Sequence, residues 1–135
     1  MAVSTRTRSP QAARAQASTS WQLWSWYFMR ISGIVLVFLV LGHFTIVHLI
    51  DDGIDRVDFA FVAGRWASPF WQTWDWTMLF LGMLHGTNGL KNIMEEYVRS
   101  PGKRATLKAI LYMLTFIFIL LGTLVILTFN PEATS

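Results

Sequence analysis

The chain reads as an all-α membrane protein with three transmembrane helices and a cytoplasmic N-terminus. Three observations predict this. Residues 31–50 (ISGIVLVFLVLGHFTIVHLI) and 109–129 (AILYMLTFIFILLGTLVILTF) are uncharged apolar runs, each close to the roughly 20 residues a helix needs to cross a bilayer. A third apolar run, 76–94, is interrupted only by Lys91. Hydrophobic residues are 53% and charged residues 14% of the 135, a balance that suits lipid better than water. No internal repeat or strand pattern appears, and this length makes one domain at most.

Cysteine is absent, so disulfides, thiolate metal sites and cysteine-ligated iron–sulfur clusters are excluded from this chain. The net charge of +3 comes from residues at the ends of the apolar runs rather than from a basic patch. Nucleic acid is therefore not indicated as a partner.

Residues 1–20 are basic, rich in Ala, Ser and Thr, and free of acids. A flexible cytoplasmic tail and a mitochondrial transit peptide share that composition. The tail is the preferred reading. A secretory signal does not fit, because the apolar run begins too late and is too long. Residues 21–135 then form the membrane domain, with helices over about 24–50, 71–98 and 105–129.

Trp21, Trp24, Trp26 and Tyr27 form an aromatic belt at a membrane interface. Arg30 follows; it either snorkels to the headgroups or binds an anionic group at that depth. The first span carries His43 and His48, about 140° apart on a helix and unable to address one site. His48 is near interfacial water, whereas His43 lies about 7.5 Å deeper. The deeper imidazole has the greater need of a partner, so His43 is preferred as a ligand. Arg30 projects on the azimuth of His48, so Arg30 and His43 serve different things.

The connection 51–69 is acidic, and its middle, 57–66, predicts a short helix on the membrane surface. Pro69 with Trp71, Trp74 and Trp76 marks re-entry. The central helix, 71–99 (WQTWDWTMLFLGMLHGTNGLKNIMEEYVR), holds one histidine, His85. Met78, Gly82, His85, Gly89, Asn92 and Glu96 share a face at about 100° per residue. Two readings fit that face. In one, the glycines leave room for a flat ring system held by the imidazole, since an ionisable residue inside a membrane is a functional candidate by default. In the other, the glycines serve close helix packing and His85 bonds a neighbour.

Residues 99–104 (RSPGKR) read as a tight basic turn, with Pro and Gly placed where a helix stops. The third span has only Thr115, Thr123 and Thr128 as polar side chains and reads as a packing helix. Arg6, Arg8 and Arg14 before span one, and Arg99, Lys103 and Arg104 between spans two and three, belong on the cytoplasmic side. Three crossings satisfy both.

The R-I-S-G opening at 30–33 resembles the R-x-[ST]-G start of succinate dehydrogenase anchor subunits, and so does a histidine ten residues after that glycine, His43. The second span resembles their H-x-x-x-G motif followed by an acid–Tyr pair: His85, Gly89, Glu96 and Tyr97. The resemblance covers roughly 24–129 and is similar to the smaller, D-type chain. It implies a bundle formed with a partner cytochrome b (C-type) subunit. In it His85 is an axial ligand of haem b, Arg30 meets a haem propionate, and Tyr97 with Glu96 binds quinone.

His43 departs from the single-haem pattern and resembles dihaem menaquinone-type enzymes, in which it serves a second haem iron. Depth leaves this open. His85 is about 15 Å from either end of its span and His43 about 12 Å from Asp51, so one haem held by both also fits. Two haems are preferred on the resemblance alone.

The function implied is electron transport in respiratory complex II, linked to the tricarboxylic acid cycle. A flavoprotein subunit oxidises succinate, an iron–sulfur subunit passes electrons on, and haem and quinone receive them in the membrane. This chain is non-catalytic alone. A bacterial plasma membrane is the preferred location, with the mitochondrial inner membrane as alternative, and a higher oligomer of the whole complex is a further reading. If quinone binds toward the outer face, Trp66, Trp71, Trp74 and Asp75 are its wall; an interfacial belt is the plainer reading. The rival functions are a haem b subunit of another respiratory dehydrogenase and a cofactor-free structural membrane subunit.

Overall fold

In the computed structural model, which describes residues 10–50 and 52–130, with side chains from residue 20 onward, every regular element is a helix. The first, α1 (Pro10–Phe44), continues into a π-helical turn over Thr45–Leu49. A 3₁₀ turn follows at Gly53–Arg56, then α2 (Phe59–Trp66), α3 (Pro69–Tyr97) and α4 (Pro101–Thr128).

The start of α1 lies inside the segment read as a flexible tail. Pro10 falls in the first turn, where its missing N–H is no loss, and the Ala-rich stretch 11–17 favours helix. Residues 1–9 of that segment lie outside the described residues. At its other end the helix widens rather than stopping. The Ile50 N–H donates to the Thr45 carbonyl at 3.1 Å, a bond one residue longer than the α pattern. Gly53 closes the turn at φ 60°, and a Cβ there would meet the His48 carbonyl oxygen at 2.7 Å.

The short helix expected within 57–66 forms over Phe59–Trp66. Asp58 caps α2, its side chain accepting from the Phe61 N–H at 2.8 Å. Both α3 and α4 begin at a Ser-Pro step, Ser68-Pro69 and Ser100-Pro101. This corrects the reading of RSPGKR. Pro101 and Gly102 do not stop a helix but occupy the first turn of α4, because proline's fixed φ suits the first helical position. Arg104 then reaches back from α4, its Nε and Nη2 donating to the Val98 carbonyl at 3.0 and 2.7 Å. That satisfies an orphan acceptor at the end of α3.

The middle helix is α3. On one side α1 runs antiparallel to it, with Ser25 opposite Asn88, Ser32 opposite His85 and His43 opposite Asp75. On the other side α4 is antiparallel too, pairing Lys108 with Glu95, Thr115 with Thr87 and Thr123 with Trp76. Both outer helices pack on α3.

Among the described residues the only buried apolar side chains are Val47 and Ile126, while Phe38, Phe116 and Leu127 are largely exposed. A chain that turns its apolar side chains outward and its hydroxyl and amide groups inward is built for an apolar solvent. The stretches Ser20–Leu49 and Pro101–Thr128 are long and apolar enough to cross a membrane. At 29 residues, α3 is about 44 Å long, sufficient in length, but its composition is more polar. Of its polar side chains, Asp75, His85 and Asn88 are engaged by α1, and Thr87 and Glu95 by α4.

Candidate functional site

His85 is half-buried in the seam between α1 and α3. Its Nδ1 lies 2.8 Å from Ser32 Oγ, and its Cε1 would be 3.3 Å from a Cβ at position 33. Gly33 therefore gives the imidazole its room. The glycines of α3 do something else. A Cβ on Gly82 would meet Leu36 at 3.8 Å, and one on Gly89 would meet Met29 at 3.6 Å. The expected bare backbone beside His85 is thus covered by α1. The glycines serve helix packing, and the face 78–96 is the face that docks on α1.

His43 sits at the other end of the same seam. Its Nδ1 lies 3.3 Å from Asp75 Oδ1. Arg65 Nη2 is 3.4 Å from the same oxygen, and Trp66 Nε1 donates to Asp75 Oδ2 at 2.9 Å. These groups line a cavity of about 190 Å³ together with Val47 and Phe61. Of the outer-face residues named from sequence, Trp66 and Asp75 border this cavity. Trp71 instead stacks under Arg65 at 4.3 Å, and Trp74 fills the space over Gly42.

The register separates the two histidines. His85 is level with Ser32 and His43 is level with Asp75, ten residues along α3 from His85, or about 15 Å. The two imidazoles therefore stand at different levels of the α1–α3 seam, each with its own partner. His48 is exposed, stacked beside Phe44 with ring centroids 4.9 Å apart.

The remaining candidates lie near the opposite end of α3 from Asp75. Arg30 is exposed, its guanidinium 4.1 Å from the centre of the Trp26 ring. Glu96 and Tyr97 are exposed on the last turn of α3, Tyr97 at 76%. They are about 17 Å along the helix from His85. Beside Glu96, Glu95 pairs with Lys108 of α4. A groove of about 490 Å³ at this end is lined by Trp21, Phe28, Leu84, Asn88, Lys91 and Tyr112.

Sequence reasoning missed Ser32, Arg65 and Asn88. Each acts across a helix pair: Asn88 donates to Ser25 at 2.9 Å, and Arg65 reaches Asp75 from a separate helix. Ser32 alone carried a signal, standing inside the R-I-S-G stretch.

The donor chemistry fits haem iron. Each of His43 and His85 has Nδ1 engaged by a side chain of this chain. Neither Nε2 has a protein partner among the described residues. An imidazole oriented through one nitrogen and open at the other is the usual form of a metal-ligating histidine.

An antiparallel arrangement of three long helices, with an oriented histidine in the α1–α3 seam, is the setting in which the comparison with known families falls. The family model for the succinate dehydrogenase/fumarate reductase transmembrane subunit matches residues 4–122. The chain belongs to that family: it is a membrane anchor subunit of complex II, non-catalytic by itself. No individual curated protein matches it.

Proposed function

We propose that the chain is the D-type anchor of a succinate:quinone oxidoreductase, crossing the membrane three times with its N-terminus in the cytoplasm. All three long helices then span, with Asp75, His85 and Asn88 of α3 engaged by α1 and Thr87 and Glu95 by α4. Arg14 near the start of α1 and Arg99, Lys103 and Arg104 near the start of α4 fall toward one end of the bundle, in keeping with the positive-inside rule.

The observation that carries the functional reading is His85, a half-buried imidazole oriented through Nδ1 with Nε2 unpartnered. In this reading His85 would hold the iron of haem b through Nε2, the haem being shared with the partner cytochrome b subunit. His43, oriented by Asp75, holds a second haem iron nearer the outer face. Arg30 meets a propionate, and Tyr97 with Glu96 binds quinone, menaquinone being favoured. When bound, haem b supplies a one-electron station between the iron–sulfur clusters and quinone.

The chain's own part is to fix the imidazoles, exclude water from them and hold the quinone-facing hydroxyl at the membrane edge. The partners are a flavoprotein subunit, an iron–sulfur subunit and the C-type anchor, in a bacterial plasma membrane.

The test is a reduced-minus-oxidised spectrum of the purified complex with a redox titration. Two b-type steps are expected, one of them lost in His85→Ala and the other in His43→Ala. A single step unaffected by His43→Ala removes His43 from the ligand set. A colourless complex removes haem from the account.

A further inference from the structure

We propose that Ser32 is a positioning residue that fixes the tautomer of His85, making Nε2 the nitrogen available to metal; the inference rests on the haem reading above. The argument is one of donor accounting. Ser32 is 3% exposed, and its Oγ stands 2.5 Å from the Phe28 carbonyl, four residues back on α1. A hydroxyl has one proton, and that carbonyl can only accept. The Ser32 proton is therefore committed to Phe28, as is common for a serine inside a helix.

What Oγ offers across the seam is a lone pair. Among the described residues, the group facing it from α3 is His85 Nδ1 at 2.8 Å, so Nδ1 carries the proton and donates. In a neutral imidazole the other nitrogen is then a bare base. Gly33 adds the steric half of the device. Any larger residue at 33 would press on Cε1, the atom between the two nitrogens, at 3.3 Å. Ser32 and Gly33 together set which nitrogen is free and where the ring stands.

The experiment compares Ser32→Ala, Ser32→Thr and, as a control for helix docking alone, Ser25→Ala, which removes the other serine bond between α1 and α3. Two readouts are taken. The first is the ¹⁵N spectrum of the full chain, labelled at histidine and placed in lipid bilayers without haem, with His85 assigned against His85→Ala. The second is the midpoint potential and the low-spin ferric spectrum of the haem in the assembled complex.

The expected result is an Nδ1-protonated His85 in the parent and in Ser32→Thr, with Nε2–H appearing in Ser32→Ala. In the complex, Ser32→Ala raises the midpoint potential and weakens haem retention roughly 10- to 100-fold, while Ser25→Ala leaves both unchanged. The inference is overturned if Ser32→Ala keeps the parent tautomer, or if Ser25→Ala moves the spectra equally. A complex without b-type absorption would refute the haem reading instead, and the ¹⁵N comparison would still decide the tautomer.

Discussion

His43 Nδ1 and Asp75 Oδ1, 3.3 Å apart, tie the end of α1 to the start of α3. Asp75 is also the counter-ion of Arg65, whose side chain is 10% exposed and whose Nη1 is buried without a partner. Replacing Asp75 by alanine leaves a mostly buried guanidinium uncompensated. Breaking such a pair costs about 3 kcal/mol. Asp75→Ala should lower the thermal midpoint in detergent markedly, and Asp75→Ala with Arg65→Met should recover part of the loss. Equal stability of Asp75→Ala and the parent would show that this cluster does not hold the helices.

Thr115 donates to the Leu111 carbonyl at 2.8 Å, so its contact with Thr87 at 2.6 Å has Thr87 as donor. The two threonines are therefore not equivalent. Thr115→Val strands the buried Thr87 hydroxyl and should cost about 1 kcal/mol. Thr87→Val leaves Thr115 bonded within its own helix and should cost less. Unfolding in mixed micelles measures both, and the reverse order would contradict the assignment of donor and acceptor.

A Cβ at Gly122 would run into Leu79 Cδ2 on α3. Gly122→Val forces α4 away from α3 or Leu79 out of its rotamer, an overpacking cost of about 1–3 kcal/mol. Leu79→Ala in the same chain should restore much of the loss. If the double variant is no better than Gly122→Val, the contact is not the cause.

What was legible in the sequence is what a single helix encodes. The 3.6-residue period placed Gly82, His85 and Gly89 on one face, and that face is the one against α1. The short helix expected within 57–66 forms as α2, Phe59–Trp66. What was not legible depends on pairing across the fold. Ser32 and His85 are 53 residues apart, and nothing local shows that the serine's proton is spent on Phe28. RSPGKR was misread because Pro marks the start of a helix as readily as the end of one, and only the Arg104–Val98 contact distinguishes them. The π turn at Thr45–Leu49 follows a run of ordinary apolar residues; we have no local physical account of it. The separation of His43 from His85 needed the interhelical register, which span ends two residues uncertain could not supply.

The most direct test of the central claim is the position of iron relative to His85 in the assembled complex, read by cryo-electron microscopy of the oxidised enzyme. The account predicts a haem iron at bonding distance from His85 Nε2, with Nδ1 still on Ser32. Iron coordinated by no residue of this chain, or by His85 through Nδ1, would contradict it.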